Sequence, residues 1–117
     1  MLYYIRRVID LTKNLFICDL LELYGSLLTE KQARLLEYYY FDDLSLSEIA
    51  ENEGGSRQGA SDMIRRAEKE LLSIEERLQL YARRKEQERL CELLREALQT
   101  NRSEDALRRL AELEQSL

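Results

Sequence analysis

From Ser56 onward, Arg57, Gln58, Ser61, Asp62, Arg65, Arg66 and Lys69 recur at intervals suited to a helix. At about 100° per residue, Gln58, Ser61, Asp62, Arg65 and Lys69 share the side opposite Ala60, Met63, Ile64 and Ala67. The polar types suit contact with nucleic acid. A glutamine amide can pair with adenine through its donor and acceptor, and an arginine with guanine or phosphate. Ser56 and the free N–H groups of the helix start can hold a phosphate. Arg66 and Lys69 suit backbone contacts. Asp62 stands among them and repels phosphate, unless it accepts from cytosine. The alternative is a solvated face, with Asp62 paired to Arg65 at i+3 and to Arg66 at i+4.

No other chemistry competes. The chain has no histidine and two distant cysteines, Cys18 and Cys91, so no metal site or cofactor is expected. In a reducing compartment each cysteine would act as a small apolar residue, with a structural disulfide as the lesser alternative. Glu75-Glu76 and Glu86 with Glu88 fall among arginines on exposed helix faces, so no catalytic carboxylate pair is expected. The reading is non-enzymatic.

The elements that position the polar side are all helices. Proline is absent, glycine occurs only 4 times, and no stretch alternates like a strand. A first helix is expected from about Leu11 to Tyr24. Leu11, Leu15, Cys18 and Leu21 form its buried face, widened by Phe16, Leu20 and Leu23, and Gly25 stops it. Residues 1–10 read as an upstream extension or as a short packed helix. Thr29 and Gln32 form a capping box that opens a second helix, with Ala33, Leu36 and Tyr40 inward and Leu35 and Tyr39 beside them. The run Tyr38-Tyr39-Tyr40-Phe41 reads as core and rim rather than as a base-stacking platform.

Ser45 and Glu48 form a second box, opening a short helix with Leu46, Ile49 and Ala50 inward. Gly54 supplies the left-handed turn, and Ser56 caps the next helix. The inward stripe Ala60, Met63, Ile64, Ala67, Leu71, Ile74, Leu78 and Tyr81 predicts a long helix. It fails at the polar run Arg83 to Arg89 and resumes half a turn away at Leu90, Leu94, Ala97 and Leu98. A break near Lys85, or two halves with different partners, is therefore expected. Ser103 is expected to cap a last helix carrying Leu107, Leu110, Leu113 and Leu117.

The net charge of -5 is unlike that of a strong nucleic-acid binder. Residues 1–55 hold five Lys/Arg against ten Asp/Glu, and residues 56–117 hold thirteen of each. Attraction to phosphate must therefore come from a local patch. The apolar N-terminal stretch is too interrupted by charge to span a membrane or serve as a signal peptide, and a cytoplasmic protein without membrane insertion is expected.

Ala50, Gly54 and Ala60 sit where a helix-turn-helix needs small residues and a turn glycine. The stretch LLTEKQARLLEYYYFDDLSLSEIAENEG, then Ser56-Arg57-Gln58, then Asp62-Met63-Ile64-Arg65-Arg66-Ala67-Glu68, resembles region 4 of bacterial sigma factors. It is more closely similar to the YlxM family of small bacterial proteins, over about residues 11–95. The resemblance implies an all-α, sigma-region-4-like helix-turn-helix domain with a long C-terminal helical extension. It also implies a role near the signal recognition particle pathway. Gly55 and Gly59-Ala60 stand where the family carries larger apolar residues. That predicts side chain lost from the corner's core and a looser start to the reading helix.

Residues 1–70 are thus expected to form the helix-turn-helix domain, and 71–117 an extension for dimerisation or packing. The partners implied are DNA or structured RNA, signal recognition particle components and a second copy of the chain. The competing reading is a helical protein–protein interaction module with a vestigial helix-turn-helix.

Overall fold

The computed structural model describes residues 15–117. The described residues form six α-helices and one 3-10 turn, with no strand. The chain divides into two compact units, one up to Leu78 and one from Gln79. The expected first turn of helix from Leu11, and the segment before it, lie outside the described residues.

In the first unit, α1 (residues 15–24) leads into the 3-10 turn Gly25–Leu27. Its buried residues are Leu20, Leu21 and Tyr24, followed by Leu28 beyond the turn. The expected face was rotated: Leu15 is 57% exposed, and Cys18 and Leu23 are only half-buried. Tyr24 decides the rotation. Its ring enters the core because its hydroxyl finds a partner there, donating to Glu75 Oε1 at 2.5 Å.

α2 (Glu30–Tyr40) opens with the expected box, Thr29 Oγ1 accepting from Gln32 N–H and Gln32 Oε1 accepting from Thr29 N–H. Leu35 and Leu36 form its buried face, while Ala33 and Tyr40 are half-buried. Tyr39 and Phe41 point outward, 37% and 47% exposed, so Tyr39 does not lie beside the inward stripe as expected.

α3 (Leu46–Glu53) carries the second box between Ser45 and Glu48. Ile49 and Ala50 are buried. Gly54 then takes φ 75 and ψ 29, and Gly55 N–H closes onto the Ala50 carbonyl at 3.0 Å. A Cβ at position 54 would touch nothing within 4 Å, so the demand there is purely conformational. Gly54→Ala is expected to cost about 1 kcal/mol, read as a lower urea midpoint with an unchanged slope.

α4 (Arg57–Leu78) buries Ala60, Ile64, Ala67, Leu71 and Ile74 at alternating four- and three-residue steps and packs on α2 and α3. The stripe stops there. Leu78 is 46% exposed, and Gln79 takes a left-handed φ of 54 before α5 (Leu80–Gln99) begins. The break therefore lies at Gln79, not near Lys85.

The polar run Arg83 to Arg89 is helical. It winds almost two full turns around α5 and is exposed except at Gln87, whose Nε2 donates to the Ser116 carbonyl at 3.1 Å, and Arg84–Glu88, Lys85–Glu88 and Arg89–Glu86 pairs lace its surface. A helix needs only one apolar side, and α5 buries Leu90 and Ala97 and packs on α6 (Ser103–Ser116), where Ala106 is buried. Ser103 does not cap α6. Arg102 holds the cap position without a side-chain bond, because Asn101 turns the chain at φ 57 and Arg102 N–H returns to the Ala97 carbonyl at 2.9 Å. Both cysteines are free thiols. Cys18 is half-buried, but Cys91 lies exposed on α5 rather than in the core.

Candidate nucleic-acid interface

The corner that presents α4 is held by three side-chain contacts that link α1, α2, α3 and α4. Arg34 on α2 donates from Nε to Glu53 Oε1 (2.8 Å) and from Nη2 to Glu53 Oε2 (3.1 Å). This two-pronged bond fastens the last turn of α3 to α2, one residue before the turn glycine. The guanidinium holds the Glu53 carboxyl below the usual carboxylate range. A carboxyl with a depressed folded-state pKa lends stability that is present above its unfolded-state pKa. That stability disappears as pH falls through the folded-state value. Acidification below the ordinary carboxylate range should therefore release this clamp. In paired urea titrations at neutral and acid pH, Glu53→Gln should show a smaller acid loss than the parent chain.

Two tyrosines fix the other side of α4. Tyr24 on α1 bonds Glu75, and Tyr40 on α2 donates to Glu68 Oε1 at 2.5 Å. Glu68 and Glu75 are two helical turns apart, flanking the buried Ala67, Leu71 and Ile74. Burial first, and the Glu68 carboxylate second, hold the Tyr40 hydroxyl protonated well above the usual phenol range. Glu75 is thus a half-buried acceptor, not the exposed carboxylate expected from its neighbours. Sequence reasoning missed all three cross-helix pairs. The available signal was the position of Glu68 and Glu75 at the margin of the buried stripe.

With α4 so fixed, the eight candidate residues fall on its start and outward side. Ser56, Arg57, Gln58, Asp62, Arg65, Arg66 and Lys69 are exposed, and Ser61 is half-exposed. Ser56 caps the helix as expected, its Oγ accepting from Gly59 N–H at 3.0 Å. Its own hydroxyl hydrogen remains available to a phosphate oxygen.

Gln58 Nε2 donates to Asp62 Oδ1 at 3.1 Å. The expected alternative partners of Asp62 are not used, since no ion pair joins it to Arg65 or Arg66 among the described residues. Gln58 keeps its amide oxygen for a ligand, but its donor must first exchange partners.

Arg57, Arg65, Arg66 and Lys69 likewise make no ion pair or side-chain hydrogen bond among the described residues. Elsewhere pairing is common. Arg77, Arg84, Lys85, Arg89, Arg95, Arg108 and Arg109 each lie 2.5–3.9 Å from a carboxylate oxygen. The cations of this side of α4 are therefore uncommitted. Their surroundings are not basic, because residues 35–56 contain six carboxylates and no Lys or Arg.

The two glycines behave differently from expectation. A Cβ at Gly55 would stand in open space, so the corner's core does not include that position. At Gly59 a Cβ would come within 3.1 Å of Ser56 Oγ and crowd the cap. α4 is helical from Arg57, with Ala60 buried in the corner.

Comparison with known proteins agrees with this architecture. The family model described as "Putative helix-turn-helix protein, YlxM / p13 like" matches residues 11–111. A UPF0122 protein of Clostridium botulinum is 56% identical over 61 residues, which cover 52% of this chain and 56% of the relative. One from Symbiobacterium thermophilum is 44% identical over 94 residues, 80% of this chain and 88% of the relative. One from Halalkalibacterium halodurans is 40% identical over 102 residues, 87% of this chain and 94% of the relative. With its capped corner, left-handed glycine and outward-facing α4, the chain belongs to the YlxM / p13-like family of helix-turn-helix proteins.

Proposed function

We propose that this chain is a non-enzymatic, cytoplasmic nucleic-acid-binding protein that uses the outward side of α4 in a regulatory or accessory role. One observation carries the reading: among the described residues, four cations on the start and outward side of one helix lack carboxylate partners, while most of the other cations are paired. Neutralised phosphates release counterions, so such a patch gives salt-dependent affinity even on an acidic protein. The acidic α3 keeps that affinity modest. No helix among the described residues is long and apolar enough to cross a membrane.

The test is a fluorescence anisotropy titration with duplex DNA and with structured RNA, at about 50 and 200 mM salt. Binding that weakens steeply with salt supports the reading. No binding to either at the lower salt removes it. A role beside the signal recognition particle rests on the family resemblance alone, and its RNA is the first structured RNA to try.

The reading role is assigned to the unit ending at Leu78. A pairing role for the unit from Gln79 is supported by Leu98, Leu107, Leu110 and Leu117, which are 62%, 68%, 39% and 85% exposed on α5 and α6 and the residue after them. That segment holds eight cations and eight carboxylates, so two copies would approach without net repulsion. Light scattering should give a dimer mass for the full chain and a monomer mass for Leu107→Glu. A monomeric parent chain at tens of micromolar would end the homodimer proposal. If nucleic-acid binding also failed, the same leucines would favour a protein-interaction module.

A further inference from the structure

A polar cleft of about 400 Å³ opens beside the outward side of α4, where Tyr39 and Tyr40 of α2 meet Ser61, Arg65 and Glu68. Tyr39 offers an exposed ring, set edge-on to Tyr40 with centroids 5.0 Å apart and planes at 89°. Tyr40 occupies one oxygen of Glu68, leaving Oε2 without a partner among the described residues. Arg65 makes no ion pair, even with Glu68 three residues along. A flat ring, a carboxylate oxygen, a guanidinium and a hydroxyl therefore share one recess.

Building on the nucleic-acid reading, we propose that this cleft receives an unpaired guanine of a folded RNA. Guanine presents N1–H and N2–H side by side to a carboxylate, and O6 with N7 to an arginine. Adenine would turn an acceptor, N1, toward Glu68. Uracil flanks its one N–H with two carbonyls, and cytosine sets an acceptor beside its amino group. In a duplex the guanine edge that Glu68 needs is held by cytosine, so the base must lie outside the helix, where it can also stack on Tyr39. Such bases are a feature of folded RNA. Arg57, Arg66 and Lys69 extend the cationic row along α4 past the cleft, which suits a chain of phosphates better than a single nucleotide.

The experiment uses the full chain and three labelled RNA hairpins: one with a bulged guanine, one with a bulged adenine and one fully paired. Anisotropy should give tighter binding to the guanine bulge than to either of the others, by about tenfold or more. Tyr39→Ala should bring the ratio of bulged to paired affinity near one, while Tyr39→Phe keeps it. Glu68→Gln should narrow the guanine-over-adenine preference. Circular dichroism monitors the fold of each variant. Guanosine monophosphate at millimolar concentration should not displace the bulged RNA.

Equal affinity for paired and bulged RNA, or for guanine and adenine bulges, overturns the cleft proposal while leaving the nucleic-acid reading intact. Tighter binding to duplex DNA than to any of the hairpins also overturns it, as does displacement by the free nucleotide. Failure of every nucleic acid to bind at low salt removes both.

Discussion

Replacing Arg57 and Arg65 together with alanine is expected to lower affinity for the best nucleic-acid target by at least about tenfold, from roughly 1–3 kcal/mol for each guanidinium. The reasoning starts from their isolation. A guanidinium already bonded to a carboxylate must give up that bond before it meets a phosphate. Arg57 and Arg65 have no such bond among the described residues. Both are exposed on a helix fixed by buried contacts, so little reorganisation precedes binding.

The salt slope adds a second criterion. Each lost phosphate contact should flatten the dependence of log affinity on log salt by about one. Exposed side chains contribute little to folding, so the urea midpoint of the double variant should stay near that of the parent chain. Affinity and salt slope both unchanged would move the contact surface off α4.

Ile49→Ala is expected to have the largest effect on the fold and, through it, on binding. Ile49 is fully buried on α3, in the corner that sets the direction of α4. Truncating it removes apolar contacts and leaves a cavity, at a cost of about 2–5 kcal/mol. A small domain has about 5–15 kcal/mol in total, so the unit should be visibly destabilised in urea. The loss should weaken binding too, because α3 and α4 would no longer be held at one angle. Gly55→Val makes the contrast. Position 55 faces open space, so valine there should shift the midpoint little. A large change at 55 and a small one at 49 would mean that the corner's core is built differently.

The corner and the polar side of α4, where the candidate site lies, are legible in the sequence because their signals are local. A capping box closes within three residues, so Thr29 with Gln32 and Ser45 with Glu48 identify helix starts without knowledge of the rest of the chain. The four- and three-residue steps from Ala60 to Ile74 name the buried side of α4, and the polar residues between them are exposed as the period requires. The cross-helix contacts were not readable in this way. Arg34 meets Glu53 across 19 residues, Tyr40 meets Glu68 across 28, and Tyr24 meets Glu75 across 51. Several carboxylates could have served each donor by type alone.

The sequence by itself thus determined where the helices of the corner begin, where the left-handed glycine falls and which side of α4 stays polar. Each depends on hydrogen bonds or periodicity inside a few residues. Only the tertiary structure decided which face of α1 enters the core, that the long helix ends at Gln79, that Gly55 is outside the corner's core and that Tyr39 stands beside Arg65 in a cleft. Those outcomes depend on which surfaces are brought together when distant segments pack, and that choice is made by the whole chain rather than by neighbours in sequence.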